Sequence, residues 1–340
     1  MKSSNSSTLK SESCTIPCNL CDGTEVEQVG SIDRSGHPLR TVICRNCGLV
    51  WTDPRPSPEE TRRFYAEEYR LAYKAAYTPK PKHAYRETLR ALERVKGISS
   101  ILKPGDSVLD VGCGGGFFVY ALTQHGMHAR GIEPNKGFAE YARNELKMDV
   151  QNIFLQDASF PEATFDVVTL NHVLEHVEDP RATLVRLSQW IKPNGFLVVE
   201  VPNVEATYHS PRNRFHIGHL YNFNPYTLEE IGRRAGLTIH RSTLIPGTKH
   251  LHITFQRPAV APAPVARVQN TDNYQRVRNI LRKHTTLAHF ASPVPYTRLL
   301  QKQWQGIVEW TQTRHASSGR EIVDSLIGSI GRSGSQGASF

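Results

Sequence analysis

The sequence predicts an α/β chain built on a parallel sheet with covering helices. Three observations lead there. Between residues 104 and 257, β-rich runs alternate with segments of helical periodicity, the mark of parallel strands joined by helical crossovers. A glycine-rich segment, VLDVGCGGGFF, links the first run to a helix. Two Cys-x-x-Cys pairs stand ahead of this region and a basic, helix-forming stretch follows it. A small cysteine module and an extension should therefore flank the sheet.

Of the 340 residues, 39% are hydrophobic and 21% charged, enough to bury a core. No apolar run approaches the roughly 18 residues of a spanning helix, which excludes an integral membrane protein. The opening MKSSNSSTLKSES has no apolar stretch of signal-peptide type, so a cytoplasmic location is expected.

In chain order, residues 1–13 are Ser-rich and read as a disordered tail. Residues 14–56 hold the paired cysteines. Residues 57–103 read as a helical linker or lid. Ser57 is an N-cap there, with Pro58 at the first helical position and Glu60 closing a capping box. Phe64, Tyr65, Tyr69, Tyr73 and Tyr77 line the helix that follows, and a second helix is expected over 84–102. The α/β region, 104–257, should place strands at 107–111, 128–133, 149–155, 165–170, 196–201, 237–244 and 250–256. Its helices fall at 115–125, 135–148, 180–191 (with Asp179 as N-cap) and 227–235. Residues 193–195, Pro-Asn-Gly, read as a turn, and 203–224 as an irregular insert rich in His, Asn and Tyr.

Residues 258–340 form a Pro/Ala linker and two or three amphipathic helices. From Arg257 onward there are 11 Lys/Arg against 4 Asp/Glu, so +7 of the net +9 lies in the last quarter. Such a tail suits an anionic partner (nucleic acid, anionic lipid or a phosphorylated substrate) or is a merely solvated surface.

Gly112, Gly114 and Gly116 are spaced two apart, with Asp110 ending the preceding strand. Glycines allow a sharp turn and close approach by a ligand, and the new helix offers N–H groups to an anion. Glu133 ends the next strand, where a carboxylate can accept hydrogen bonds from ribose hydroxyls. A dinucleotide fingerprint would need glycine at 117, which is Phe.

The D-x-G-x-G-x-G register instead resembles the first motif of class I S-adenosylmethionine (SAM)-dependent methyltransferases. Over about 150 residues, FDVVTLNHVLEHVEDP, KPNGFLVVEVPN and TLEEIGRRAGLTI resemble that family's later strands and loops. The resemblance implies a Rossmann-like seven-stranded fold with an antiparallel last strand and SAM as cofactor. It also implies Asp110, Gly112 and Gly114 at the methionine end, Glu133 on the ribose and Asp157 at the adenine (alternatively a turn carboxylate), with Cys113 (alternatively loop packing), Ala158 and Asn171 among the cofactor-binding candidates.

Candidate bases follow strand four at the carboxyl edge of the sheet, where ligands bind in such folds. His172 and His176 titrate near neutrality and could take a proton from a hydroxyl; the alternative is that His176 and Glu175 simply hold their loop. In the insert, His216, His219 and Tyr221 either line an acceptor pocket or hydrogen-bond the insert together.

Cys18-x-x-Cys21 and Cys44-x-x-Cys47 are separated by 22 residues. Two such knuckles complete a tetrahedral Zn²⁺ site of zinc-ribbon type, structural rather than catalytic because it leaves no open coordination position. Cys14 is spare. The phrase CRNCGLVWTDPRP resembles the N-terminal module of a methyltransferase group that includes sugar C-methyltransferases and polysaccharide-pathway enzymes. Those sugar enzymes carry a further Rossmann-like domain, whereas only 83 residues follow Arg257 here. The expectation is therefore methyl transfer to a hydroxyl or carbon of a sugar, nucleotide-sugar or glycan. An RNA methyltransferase and a non-catalytic SAM-binding scaffold stand as alternatives.

Overall fold

The computed structural model describes residues 16–63, 78–245, 250–260, 262–263 and 269–334. Its strands are β1 (Val26–Ile32), β2 (Pro38–Cys44), β3 (Val50–Thr52), β4 (Ser107–Val111), β5 (His128–Ile132), β6 (Val150–Gln151), β7 (Phe165–Asn171), β8 (Ile191–Pro202), β9 (Tyr221–Asn222), β10 (Thr238–Leu244) and β11 (His250–Gln256). Its helices are α1 (Pro58–Arg63), α2 (Pro81–Ile98), α3 (Phe117–Gln124), α4 (Lys136–Asn144), α5 (Pro180–Trp190), α6 (Pro225–Arg234), α7 (Thr271–Lys283), α8 (Thr286–Phe290), α9 (Val294–Thr313) and α10 (Gly319–Gly334).

Seven strands form one sheet in the order β10-β11-β8-β7-β4-β5-β6. Strands β4 to β8 run parallel, β11 is antiparallel to β8, and β10 is antiparallel to β11. This is the expected α/β, Rossmann-like sheet with its reversed strand. Central strands are covered on both faces and read as nearly unbroken apolar runs; in β4, Val108, Leu109, Asp110 and Val111 are all buried. Helix starts follow local chemistry. Asn135 accepts from the Phe138 N–H, Asp179 from Ala182 and Asn224 from Thr227. The Ser57–Glu60 capping box forms as anticipated, with 2.8 and 3.2 Å bonds.

Several expected boundaries move. The strand over 149–155 shrinks to β6, because Asn152 turns to bond the Glu133 and Pro134 carbonyls, both at 2.9 Å. The helix over 135–148 ends at Asn144; Lys147, at φ 59°, departs from helical backbone. The Pro193-Gly195 turn is absorbed into β8, where Asn194 takes φ 64° and the pairing with β7 slips between Phe165 and Val167. The aromatic stretch Phe64 to Tyr77, and Cys14, lie outside the described residues.

Strands β1, β2, β3 and β9 make a second, antiparallel sheet. Its last strand comes from the insert, so the cysteine module is woven to the main body. Leu20, Leu49 and Trp51 share a buried core with Leu187, Tyr221, Leu228 and Ile231. Asn19 bridges to the N-terminus of α5 through Asp179 (2.9 Å) and the Arg181 N–H (3.1 Å), and Asp22 pairs with Arg234 of α6.

The extension is also docked. On the module's other face, α7 packs Tyr274, Val277 and Leu281 against Leu39, Ile43 and Val50. Arg278 and Arg282 pair with Glu27, so part of the excess positive charge is used inside the molecule. Helix α10 buries Ile322 and Val323, with Val323 in the core under α2 and α3.

Gly48 takes φ +78°, and a Cβ there would meet Asn273 Nδ2 at 2.6 Å and the Tyr274 nitrogen at 2.9 Å. Gly48→Ala should therefore lose about 1–2 kcal/mol to left-handed backbone strain, plus whatever is lost as α7 shifts. Urea unfolding checks this, and an unchanged midpoint would contradict the packing.

Candidate functional site

The glycine loop folds as its residues require. Gly112, Gly114 and Gly116 have φ of 73°, 57° and 78°, a left-handed region that residues with a Cβ enter at a cost. A Cβ on Gly112 would lie 2.5 Å from Val173 Cγ2. Cys113 tucks toward β5, where only a glycine at 131 leaves room; a Cβ there would meet its sulfur at 2.5 Å.

Carboxylates brace the loop. Glu133 is buried and accepts the Gly114 N–H at 2.8 Å and the Asn135 N–H at 3.0 Å. Buried Asp110 accepts from Thr169 Oγ1 at 2.7 Å and Asn171 Nδ2 at 3.3 Å. Burial pushes its acid up to about 6, with the Thr169 bond and the Arg94 charge pulling the other way.

Two cavities border this loop, and a third joins them at His172. One of about 110 Å³ is lined by Gly112, Glu133, Phe154, Gln156 and His176. One of about 250 Å³ is lined by Asp110, Gly112, Cys113, Gly114 and Asn171. The largest, about 730 Å³, is walled by α2, β8, β10 and β11, with Arg94, Asn171, Glu200, Arg241 and His250 on its surface. His172 lines all three.

His172 itself takes φ 59°, an uncommon backbone for a residue with a side chain and one that concentrates at functional sites. Its Nε2 lies 2.9 Å from Glu200 Oε1 and its Nδ1 3.4 Å from Glu175 Oε1. Burial alone would push the imidazole down, but hydrogen bonds to Glu175 and Glu200 outweigh it and hold His172 above its ordinary value. Burial likewise opposes ionisation of Glu200, yet bonds from His172 and His250 and the Arg94 charge hold it well below the usual carboxylate range. Arg94 reaches Glu200 from α2 with two bonds of 3.2 and 3.1 Å. His250 Nδ1 lies 3.4 Å from the same carboxylate.

Sequence reasoning missed Arg94, Glu200 and His250. Nothing in their local pattern marks them; the sheet order alone brings α2, β8 and β11 to one place.

Other expected residues lie differently. Asp157 does not line the cleft. It is about half exposed and holds Arg62 of α1 by two 2.9 Å bonds, while its neighbour Gln156 faces the cavity. Arg62 also lies over the ring of Phe154, a cavity wall. Ala158 is buried in the core, its carbonyl bonded by Arg186.

His176 touches only the smallest cavity, and its Nδ1 is 2.6 Å from the Gly218 carbonyl. His216, His219 and Tyr221 line none of the three cavities. His216 is buried and accepts the Gly218 N–H at 2.8 Å. The His219 ring packs edge-on against His176 and His216. Tyr221 is fully buried in β9, with Arg55 over its ring and its hydroxyl donating to the Glu178 carbonyl. These contacts tie the insert together; His219 also lines a separate cavity of about 40 Å³ with His209 and Arg214.

Cys18, Cys21, Cys44 and Cys47 converge in the cysteine module, within the core it shares with Leu155, Leu174 and Val177. All four are buried, none is in a disulfide, and their sulfurs lie within 4.8 Å of one another. Cys18 and Cys47 are 3.5 Å apart, Cys21 and Cys44 3.4 Å. Four thiolates about 2.3 Å from one ion would sit roughly 3.8 Å apart, so the donor set fits a tetrahedral soft metal.

Part of the chain is similar to known proteins. Residues 82–242 match a family model described as a methyltransferase domain. A ubiquinone biosynthesis O-methyltransferase of Coxiella burnetii is 30% identical over 160 residues, 46% of this chain and 59% of that protein. One from Vibrio atlanticus is 30% identical over 174 residues, 49% and 62% of the two chains. The chain thus spans about three-fifths of the length of these curated relatives. A solved S-adenosylmethionine-dependent methyltransferase from Mesorhizobium loti is 16% identical, with a TM-score of 0.42, covering 48% of this chain and 96% of its own.

Proposed function

Proceeding from the methyltransferase domain matched at residues 82–242, we propose that this protein transfers the methyl group of SAM to a hydroxyl of a small acceptor. One observation carries the reading: His172 stands where the two loop-side cavities meet the 730 Å³ one. The glycine-loop amides and Asp110 would take the methionine end of the cofactor, and Glu133 its ribose. Gln156 and Phe154 would take the adenine, in place of Asp157. Bound SAM supplies a methyl activated by its sulfonium. The protein's task is then to align the acceptor oxygen and remove its proton.

His172 is the proposed base: Glu200, 2.9 Å from Nε2, would fix the ring and keep the proton on that nitrogen, and Nδ1, whose longer 3.4 Å contact with Glu175 would give way to the acceptor hydroxyl, would take the proton. Held above its ordinary value, it must lose its own proton before it can act. Turnover should therefore rise with pH along a limb centred above 6.5. Glu200→Gln removes one of the groups that raise it, so the limb should move to lower pH. A profile flat from pH 6 to 9 would discard His172 as base.

Oxygen is favoured over carbon by the relatives' printed names, which are O-methyltransferases. The favoured acceptor is a sugar, nucleotide-sugar or glycan hydroxyl. Arg90, Arg94, Glu93, Arg241 and His252 on the large cavity can bond hydroxyls and phosphates. A phenolic hydroxyl is the second reading, supported by those names and by the apolar Phe118, Val198, Leu244 and Ile245 in the same wall. A screen with methyl-labelled SAM separates them: label on nucleotide-sugars supports the first, label on dihydroxybenzoates alone the second, and label on RNA alone rejects both.

The four cysteines we assign to one structural zinc ion. Elemental analysis should find about one zinc per chain, and metal-free, folded protein would exclude it.

A further inference from the structure

We infer that the outward face of α9 docks on an anionic lipid bilayer. This helix is turned opposite to an ordinary surface helix, which buries its apolar stripe. Its polar side faces the body: Glu309 is buried and bonded by Arg86 at 2.8 and 2.7 Å. Arg298 donates to the Tyr208 carbonyl at 2.8 Å and lies over the Tyr208 ring. The solvent side carries Tyr296, Leu299, Leu300, Trp304, Ile307 and Trp310, each 56–71% exposed. Their spacing puts them on one stripe. Leu287 and Phe290 of α8 are also exposed, and the Tyr296 hydroxyl bonds the Phe290 carbonyl. Large contiguous apolar surfaces on proteins mark interaction sites.

Charge selects the occupant. The only acid of α9 is Glu309, already neutralised, while Lys302 and, just past the helix, Arg314 form no ion pair with a described residue. A second copy of this +9 chain would set these cations against their own kind. An anionic bilayer offers opposite charge to the cations and an apolar interior to the stripe. Trp and Tyr rings settle at the headgroup level of membranes, and a helix of this type lies in the interface. None of the described helices is long and apolar enough to cross a membrane. Val294, in the first turn of α9, and Ile280 of α7 also wall a chamber of about 420 Å³. It shares Leu244 and His250 with the large cavity, so docking and the way to the cavity would involve one element.

The experiment mixes the full chain with vesicles of phosphatidylcholine, alone or with one quarter phosphatidylglycerol. Of four tryptophans, Trp51 and Trp190 are buried, so an emission shift reports Trp304 and Trp310. We expect a blue shift and co-flotation with the anionic vesicles. Partitioning to the neutral ones should be weaker by roughly thirtyfold, from the two basic side chains, Lys302 and Arg314, near the surface. Trp304→Ser with Trp310→Ser should abolish co-flotation while leaving the thermal transition unchanged. No partitioning, equal partitioning to both vesicles, or a dimer in sedimentation that the double variant dissolves would each overturn the assignment. Vesicle binding is read without methyl transfer, so its outcome is independent of the proposed activity.

Discussion

His172→Asn should lower turnover by a factor on the order of 10²–10⁴, the range supplied by a positioned base, while SAM affinity changes only a few-fold. Asparagine is the informative replacement. The backbone at 172 has φ 59°, which Asn accepts more readily than most residues, so the variant tests the imidazole and not the strain. His216→Asn and His219→Asn should cost far less activity, because those rings bond within the insert. Kinetics on all three with one labelled acceptor decide the matter. Equal losses in all three would place the proton acceptor elsewhere.

Removing the proposed zinc should be the largest stability effect. Structural zinc contributes folding free energy directly, and the cysteine module does not stand apart here. Leu20, Leu49 and Trp51 share a core with Leu228 and Ile231 of α6, Trp51 pairs with Tyr221 across the sheet, and Asn273 of α7 bonds the Cys47 carbonyl at 2.8 Å. Loss of the ion should thus loosen the insert and α7 together. Cys44→Ser, or a strong chelator, should cost several kcal/mol and lower the melting temperature by about 10 °C or more. Four thiols should then become reactive in the chelated protein, and three in Cys44→Ser. A chelated protein with an unchanged transition would show that packing alone holds the module.

The sheet was legible because its cues are local and repeated. Continuous apolar runs, Asp179 as a cap and the D-x-G-x-G-x-G turn each state their own structure. The cysteine spacing was legible for the same reason. Strands β3 and β9, of three and two residues, have no period to detect, so the joining of module to insert could not be anticipated. The site was half legible. Loop and carboxylate positions follow from motif spacing, and His172 from its place after strand four. Glu200 and His250 meet only because β11 runs antiparallel beside β8, pairing His252 with Glu200 in register. Tyr221 and His216 looked chemical by residue type, yet burial and bonding gave them to the framework. Asp157 was expected at the cleft; the turn after β6 presents Gln156 there and Asp157 to Arg62.

Isothermal titration of the purified chain with SAM tests the central claim most directly, with Gly112→Val as the control. That variant forces a side chain onto Val173 Cγ2 at a left-handed position. Saturable one-to-one binding that weakens at least tenfold in Gly112→Val is the predicted result. No binding to the intact chain, or equal binding by both proteins, would contradict it.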